Sequence, residues 1–241
     1  MAKLDSMAEL ERIRAEYARR ARDPHLTGLY SLFRPDALFA QQTRERAVLQ
    51  LLSRAGLQPL DGFDLLEVGC GEGGVLVDLV RWGADPERLH GCDLLPRELA
   101  PARRRLPTAA RLVTADGGAL PYADARFDLV LQFTVFTSVL DGALRQRMAE
   151  EIWRVLRPGG AVVWYDFRFQ GRNPAVRAIH PREVQALFPE GALTGRRVTL
   201  APPLYRRLAR RSWLACELLA RIPWLRSHDL LLIRKGEATH G

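Results

Sequence analysis

The fold of this chain is decided by the stretch Leu65-Leu66-Glu67-Val68-Gly69-Cys70-Gly71-Glu72-Gly73-Gly74. A short apolar run there contains an acid and then gives way to closely spaced glycines, which is typical of a buried strand that ends in a nucleotide-binding turn. Gly69, Gly71 and Gly74 satisfy the G-x-G-x-x-G spacing, in which glycines allow a tight turn and a close approach of the backbone to a ligand. The pattern predicts a strand, a binding loop and a helix that begins directly afterwards.

A second apolar run ends in an acid at the distance expected for a ribose-binding residue. Leu89-His90-Gly91-Cys92 precedes Asp93, which stands roughly 20 residues beyond the glycine loop, as in dinucleotide-binding folds. Glu67, two residues before the first glycine, would repel a pyrophosphate but would suit a cationic ligand. Together these acids predict a cofactor that carries a ribose and a positive charge, which favours a sulfonium over NAD.

The loop resembles the first motif of the class I S-adenosylmethionine-dependent methyltransferases, of the small-molecule type in methyltransferase domain family 11. That motif is an acid-x-Gly-x-Gly-x-Gly sequence, formed here by Glu67, Gly69, Gly71 and Gly73. Four further motifs follow in the family's order at 91–94, 115–122, 126–133 and 150–160. The resemblance covers about residues 45 to 167. It implies S-adenosyl-L-methionine as cofactor and S-adenosyl-L-homocysteine as product.

The resemblance also implies an α/β fold and a role for several single residues. The fold would be a Rossmann-like, doubly wound, mainly parallel sheet of seven strands, with N-terminal helices and a helical insertion before the last strand. Asp93 would bind the ribose, and Leu94 would pack against the adenine. Asp116 would accept a hydrogen bond from the adenine amino group, with Gly117 offering a backbone N–H to the ring.

The end of the fourth predicted strand is expected near the reacting part of the cofactor. In the resembled family, Gln132 and Phe133 would lie beside the methionine portion and the transferable methyl. A hydroxyl acceptor would also need a base to remove its proton. The segment after this strand offers only hydroxyl side chains, so the candidates for a base are His180, which can titrate near neutrality, and Asp166, at the end of the fifth strand.

The composition is that of one globular domain with additions. With 241 residues, 47% hydrophobic and 27% charged, the chain can bury a core without disulfides or metal. Cys70, Cys92 and Cys216 show neither C-x-x-C pairing nor ligand spacing, so free thiols in a reducing compartment are expected. The sequence begins without a signal-peptide pattern, and no run reaches transmembrane length. We therefore expect a cytoplasmic protein without a metal site.

Four segments are expected along the chain. Residues 4–22 and 35–55 have helical patterns, and strands and helices alternate from 63 to 167, which predicts a parallel sheet with helices on both faces. The segments are 1–56 as N-terminal cap helices, 57–167 as the cofactor-binding core, 168–226 as a substrate-side insertion or lid, and 227–241 as the last strand and tail.

The net charge of +8 is compatible with nucleic acid, anionic substrates or membrane lipid. Only Lys3 and Lys235 are lysines, and base composition alone can produce such an arginine bias, so a nucleic-acid partner is not expected. The stretch from Leu204 to Leu219 alternates apolar residues and arginines and predicts a basic amphipathic helix that includes Arg206–Arg211. Two interpretations stay open: a lid that exposes its arginines, or a surface for an anionic or lipid-linked acceptor.

The sequence therefore predicts a SAM-dependent methyltransferase that acts on a small molecule, at a hydroxyl oxygen of a natural product or a sugar. Segments around 165–168 and 187–189 also resemble bacterial methyltransferases of glycan or natural-product biosynthesis. Three alternatives stay open: carbon methylation of a lipid-like or quinone acceptor, RNA methylation, and a SAM-binding module without turnover.

Overall fold

The apolar runs of the sequence form one seven-stranded sheet in a computed structural model, which describes residues 2–26, 28–171 and 173–237. Residues 238–241 of the expected tail lie outside the described residues. The strands are β1 (Leu65–Val68), β2 (Leu89–Asp93), β3 (Arg111–Thr114), β4 (Phe127–Phe133), β5 (Leu156–Phe167), β6 (Ala192–Leu200) and β7 (Arg226–Arg234). Their order is β3-β2-β1-β4-β5-β7-β6. The predicted seven-stranded, mainly parallel sheet is confirmed.

Only β7 runs in the direction opposite to the other six strands. β3, β2, β1, β4 and β5 run parallel to one another, whereas β7 lies antiparallel between β5 and β6. The start of β7 therefore lies at the same edge of the sheet as the carboxyl ends of the parallel strands, with His228 opposite Phe167. Since the chain turns in opposite directions after β1 and β4, this edge holds the crevice in which open α/β sheets bind ligands.

Eight α-helices surround this sheet in the described ranges. They are α1 (Ala2–Arg22), α2 (Pro35–Arg54), α3 (Gly74–Arg81), α4 (Pro96–Arg105), α5 (Gly142–Val155), α6 (Pro181–Leu187), α7 (Pro202–Leu208) and α8 (Trp213–Ala220). Four of them begin at a proline, whose fixed φ suits the first helical turn. None of these helices is both long and apolar enough to span a membrane.

Apolar side chains cover both faces of the sheet, as the continuous hydrophobic strands require. Leu65, Leu129 and Val163 point to the face covered by α2, α3 and α4. Their chain neighbours, among them Leu66 and Trp164, point to the face covered by α5 and α6. A third, smaller cluster joins Phe39 of α2 to α7 and α8 and includes Leu200, Ala209 and Cys216.

The C-terminal part differs from the sequence prediction in two respects. The segment 168–226 contains α6 and the edge strand β6, so the helical insertion before the last strand is confined to α7 and α8. The single amphipathic helix expected from Leu204 to Leu219 is wrong, because the chain leaves the helix after Leu208. The hydroxyl of Ser212 accepts a hydrogen bond from the Ala215 N–H and starts a second helix there.

Candidate functional site

A cavity of about 170 Å³ opens at the carboxyl ends of β1, β2 and β4 and extends under α1. Its floor comes from the segments that follow the first four strands, and its cover comes from one face of α1. The floor includes Gly69, Gly71, Asp93, Leu94, Asp116, Gly117, Phe133 and Thr134, and the cover includes Leu10, Ile13 and Tyr17. Seven of the ten cofactor-binding residues expected from the sequence therefore line one cavity.

The glycine loop after β1 has the left-handed backbone that its sequence predicts. Gly69, Gly71 and Gly73 have φ values of +72°, +51° and +76°. A Cβ at Gly69 would collide with Cγ2 of Val135, whereas a Cβ at Gly71 would meet nothing within 4 Å. Gly73 does not line the cavity, because it is the N-cap of α3, where an added Cβ would lie 3.0 Å from Cβ of Ala102 on α4. Only the first two glycines therefore shape the space for a ligand.

Asp93 ties the glycine loop to the end of β2. Its Oδ2 accepts a hydrogen bond from the Gly71 N–H at 2.8 Å, and its Oδ1 accepts one from the Leu95 N–H at 2.9 Å. Burial raises the pKa of Asp93 above its ordinary value. A carboxylate oxygen has more than one acceptor site, so this group can hold the loop and still accept hydrogen bonds from two ribose hydroxyls.

Asp116 occupies the corresponding place after β3. Its Oδ1 accepts a hydrogen bond from the Gly118 N–H at 2.8 Å, which leaves the second carboxylate oxygen able to accept another. A Cβ at Gly117 would lie 2.9 Å from Cε of Met148, so the backbone there runs close against α5. Asp93 and Asp116 lie in adjacent segments, because the Ala115 N–H donates to the carbonyl of Asp93 at 3.0 Å. The pair fits the two polar ends of an adenosine.

Two of the expected residues lie beneath the cavity rather than along its wall. Gln132 is fully buried, its Oε1 accepts from the Val135 N–H at 3.3 Å, and its Nε2 has no partner in the described part of the chain. Glu67 is also buried, and its Oε2 likewise lacks a partner among the residues described. Burial raises the pKa of Glu67 well above its ordinary value, although the positive charge of Arg44 opposes this effect.

Arg44 on α2 is a charged neighbour of this site that the sequence analysis missed. Its guanidinium carbon lies 5.8 Å from the centroid of the Phe133 ring, and its Nη2 lies 3.7 Å from a carboxylate oxygen of Asp78. Arg44 brings a positive charge close to Phe133, where the methionine portion of the cofactor is expected. A guanidinium can pair with the carboxylate of that portion, and the unpartnered oxygen of Glu67 can accept a hydrogen bond from its amino group.

Neither expected base reaches the cavity. Asp166 is fully buried, and its carboxylate accepts from Thr137 Oγ1 at 2.5 Å, from the Thr137 N–H at 3.1 Å and from the Phe167 N–H at 2.9 Å. Burial raises its pKa to about 6. His180 is exposed and precedes the first turn of α6, where its N–H donates to Glu183 Oε2 at 3.3 Å. Because Asp166 holds the chain after β4 and His180 starts a helix, neither is retained as a base.

The cover of the cavity is held by polar contacts that the sequence did not indicate. Glu9 accepts hydrogen bonds from the backbone N–H groups of Leu140 and Asp141, before α5. Arg12 pairs with Glu9 at 2.7 Å and donates to the carbonyl of Ser138 at 2.6 Å. Leu10, Ile13 and Tyr17 lie at helical spacing within the predicted helix 4–22, but no local pattern indicates the surface against which they pack.

The fold and the site have the arrangement of the class I SAM-dependent methyltransferases that the sequence resembles. The family comparison agrees, because residues 66–164 match the family model described as a methyltransferase domain. A solved structure of the same fold is that of Burkholderia thailandensis 1,6-didemethyltoxoflavin-N1-methyltransferase with bound 1,6-didemethyltoxoflavin and S-adenosylhomocysteine. It is 20% identical, covers 92% of this chain and 90% of its own, and has a TM-score of 0.59. This likeness is one of fold.

Two curated relatives are similar over the same region. The phthiotriol/phenolphthiotriol dimycocerosates methyltransferase of Mycobacterium tuberculosis is 37% identical over 134 residues, which is 54% of this chain and 48% of that protein. The sterol 4-C-methyltransferase strm-1 of Caenorhabditis elegans is 30% identical over 106 residues, 42% of this chain and 30% of that protein. The chain thus spans half or less of the length of these two relatives.

Proposed function

We propose that this chain is a SAM-dependent methyltransferase that methylates a small, largely apolar acceptor at a hydroxyl oxygen. The observation that carries the proposal is the division of the cavity into two ends. One end has Asp93 and Asp116 at adjacent strand ends, and the other is walled by Phe133, Val135 and Ile13. The first suits an adenosine, and the second suits an acceptor with little polar surface.

Bound SAM supplies a methyl group on a positively charged sulfur. A nucleophile attacks the methyl carbon in line with the sulfur, and the sulfur leaves. The residues of this chain bind the cofactor and align it with the acceptor. Asp93 and Asp116 would hold the ribose and the adenine, while Glu67 and Arg44 would pair with the charged groups of the methionine portion. Phe133 and α1 would exclude water from the reacting centre. Fixing two reactants in this manner can account for much of the rate acceleration.

Among the described residues, the acceptor end offers no group with the properties of a general base. The acids that line the cavity, Asp93, Glu98 and Asp116, belong to the adenosine end. Burial raises the pKa of Tyr17, so its phenol stays protonated at neutral pH. An acceptor whose hydroxyl is itself acidic, such as a phenol or an enol, fits this arrangement because it can lose its proton to solvent.

The names of the two curated relatives support an apolar acceptor, since one refers to a sterol and the other to dimycocerosates. The apolar wall favours such a molecule over a sugar. Carbon methylation of a lipid-like acceptor requires the same wall and is the second candidate, because the relative named for a sterol is a C-methyltransferase.

Calorimetry tests the cofactor part of this proposal. SAM and S-adenosylhomocysteine should bind the wild type, NAD should not, and Asp93→Ala should weaken SAM binding by roughly 100-fold, because two hydrogen bonds to a charged group are lost. Asp61→Ala, at an exposed acid away from the cavity, is the control. Preference for NAD would overturn the proposal.

A panel of acceptors tests the second part. Phenols, enols, long-chain lipids, sugars and a short RNA are offered with labelled SAM, and the methylated atom is identified by NMR. Turnover that increases with acceptor apolarity and yields methyl ethers is expected. Products methylated at carbon would favour the second candidate, and turnover with RNA alone would contradict both.

A further inference from the structure

Exposed apolar side chains are concentrated at one corner of the molecule. Among the described residues, six of the nine large exposed apolar side chains lie in the two short segments 30–33 and 214–224. Phe33 is fully exposed, and Tyr30 and Trp224 are more than 70% exposed. The other three of these six side chains are Leu32, Leu214 and Leu218. Single exposed apolar residues need no explanation, but such a concentration marks an interaction surface.

The two segments lie side by side, because the start of α2 packs against α7 and α8. The ring of Phe39 lies 5.2 Å from that of Trp213 and 6.3 Å from that of Tyr205, centroid to centroid. Tyr30 is close enough to Tyr205 to raise the pKa of that phenol, for which burial is the main cause. We call the exposed residues of 30–33, α7, α8 and Trp224 the α7–α8 surface.

This surface also carries positive charge that no acid neutralises through a salt bridge. Arg206, Arg207, Arg210 and Arg211 are all exposed, and none of the salt bridges among the described residues includes them. Other arginines, such as Arg14 and Arg182, are also exposed and outside these salt bridges, so these four are distinguished by their place in 206–211, next to the exposed apolar side chains. The α7–α8 surface therefore offers a cluster of positive charge to an external anion.

α8 combines exposed apolar side chains with positive charge. Leu214 and Leu218 are one helical turn apart and exposed, while Cys216 between them is fully buried against α2 and α7. Arg211, just before the N-cap Ser212, and Arg221, at the C-cap, flank α8 and are both exposed. An apolar strip with arginines at both ends is the pattern of a helix that lies in a membrane interface.

We propose that the α7–α8 surface docks onto an anionic lipid bilayer. The arginines would contact lipid phosphates, Phe33 and Leu214 would enter the boundary of the acyl chains, and Trp224 would lie among the headgroups, where a ring with a polar edge is favoured. Half of the six exposed apolar side chains are leucines, which can be buried in a bilayer but give nucleic-acid bases no ring on which to stack, so a bilayer is favoured over RNA. The proposal goes beyond the proposed function and does not depend on it, since docking requires neither SAM nor an acceptor.

Docking would also involve the cover of the cavity. The segment 30–33 lies between α1, which covers the cavity, and α2, which carries Arg44. A bilayer on the α7–α8 surface would therefore contact the connection between these two helices. A lipid-soluble acceptor would be concentrated on the side of the molecule from which that connection leaves.

Vesicle sedimentation without SAM tests the proposal. The full chain is mixed with vesicles of phosphatidylcholine alone and with 30% phosphatidylglycerol, at low and at high salt. Binding to the anionic vesicles only, and weaker at high salt, is expected. Replacing Arg206, Arg207, Arg210 and Arg211 together by Gln should weaken binding on the order of 100-fold. The matched control replaces four exposed arginines outside the surface by Gln: Arg14, Arg104, Arg111 and Arg182.

A second measurement reports insertion. Brominated phosphatidylglycerol should quench the tryptophan fluorescence of the wild type, and Trp224→Phe should remove that quenching while most of the binding is retained. Circular dichroism and SAM affinity verify that each variant is folded. Equal binding to neutral and anionic vesicles, or equal losses in the two arginine variants, would overturn the proposal. So would tighter binding to a single-stranded RNA than to the vesicles.

Discussion

The floor and the cover of the cavity are built in different ways. The floor consists of strand ends tied together through the backbone, as where Asp93 accepts the Gly71 N–H. The cover is a single helix, α1, attached by side chains: Glu9 and Arg12 contact the segment before α5, and Leu10 and Ile13 pack against the nearby core. The floor is therefore part of the folding core, whereas the cover can detach without loss of the sheet.

This contrast separates the effects expected from mutation. Changes in the floor should reduce stability and cofactor affinity together, because the same bonds shape the loop and the site. Changes in the cover should leave the stability of the sheet almost intact and act on the entry and exit of the cofactor. Variants in each region can therefore separate effects on the stability of the sheet from effects on the entry and exit of the cofactor.

The largest effect is expected within the glycine loop itself. Gly69→Ala should destabilise the protein by about 3 kcal/mol, through the left-handed backbone and the collision with Val135. Gly71→Ala should cost only about 1 kcal/mol, because its Cβ meets nothing within 4 Å. That methyl would, however, extend into the cavity and lower SAM affinity. Urea unfolding and calorimetry on both variants check the difference. Equal losses of stability would contradict it.

A smaller effect is expected where α2 meets the floor. Arg44→Gln should lower SAM affinity roughly tenfold, because the charge that would pair with the methionine carboxylate is removed while Glu67 stays buried. Arg46→Gln is the matched control on the same helix, since Arg46 pairs with Glu217 on α8 and not with the floor. Calorimetry with SAM and with adenosine separates the two portions of the cofactor. The Arg44 variant should bind adenosine normally, and an equal loss for adenosine would exclude this role.

The same contrast explains how far the sequence could predict the site. The sequence predicted Asp93, Asp116 and the glycines, because each of them follows the end of a strand and the apolar runs of the sequence mark where strands end. The N-terminal helices were predicted as a cap, but the contact that attaches α1 was not, because Glu9 meets Leu140 across more than 130 residues and no local pattern encodes such a contact.

Asp166 shows a different limit. It ends a strand at the correct edge of the sheet, but its side chain is held by Thr137 instead of pointing into the cavity. One residue of register separates the two faces of a strand, and the sequence alone did not settle which face belongs to the site.

In α7 and α8, apolar spacing suggested one helix, yet the cap at Ser212 divided it.

The smallest effect is expected from the attachment of α1. Burial alone would raise the pKa of Glu9, but hydrogen bonds from Arg12 and from the Leu140 N–H outweigh it and lower the pKa. Glu9→Gln should therefore weaken the docking of α1 by about 1 kcal/mol. Hydrogen exchange should become faster in α1 but not in the strands, and SAM should associate faster. Glu11→Gln, at an exposed acid on the same helix, is the control.

The lowered pKa also fixes the direction of the pH effect. A carboxylate with a pKa below its ordinary value stabilises the docked helix fully above that ordinary value, near pH 4.5, and loses this contribution as the pH falls through the lower value. Protection of the α1 amides should therefore fall with acidification in the wild type and change little in Glu9→Gln. If both proteins respond alike, Glu9 does not hold the cover, and the apolar face of Leu10 and Ile13 must be sufficient.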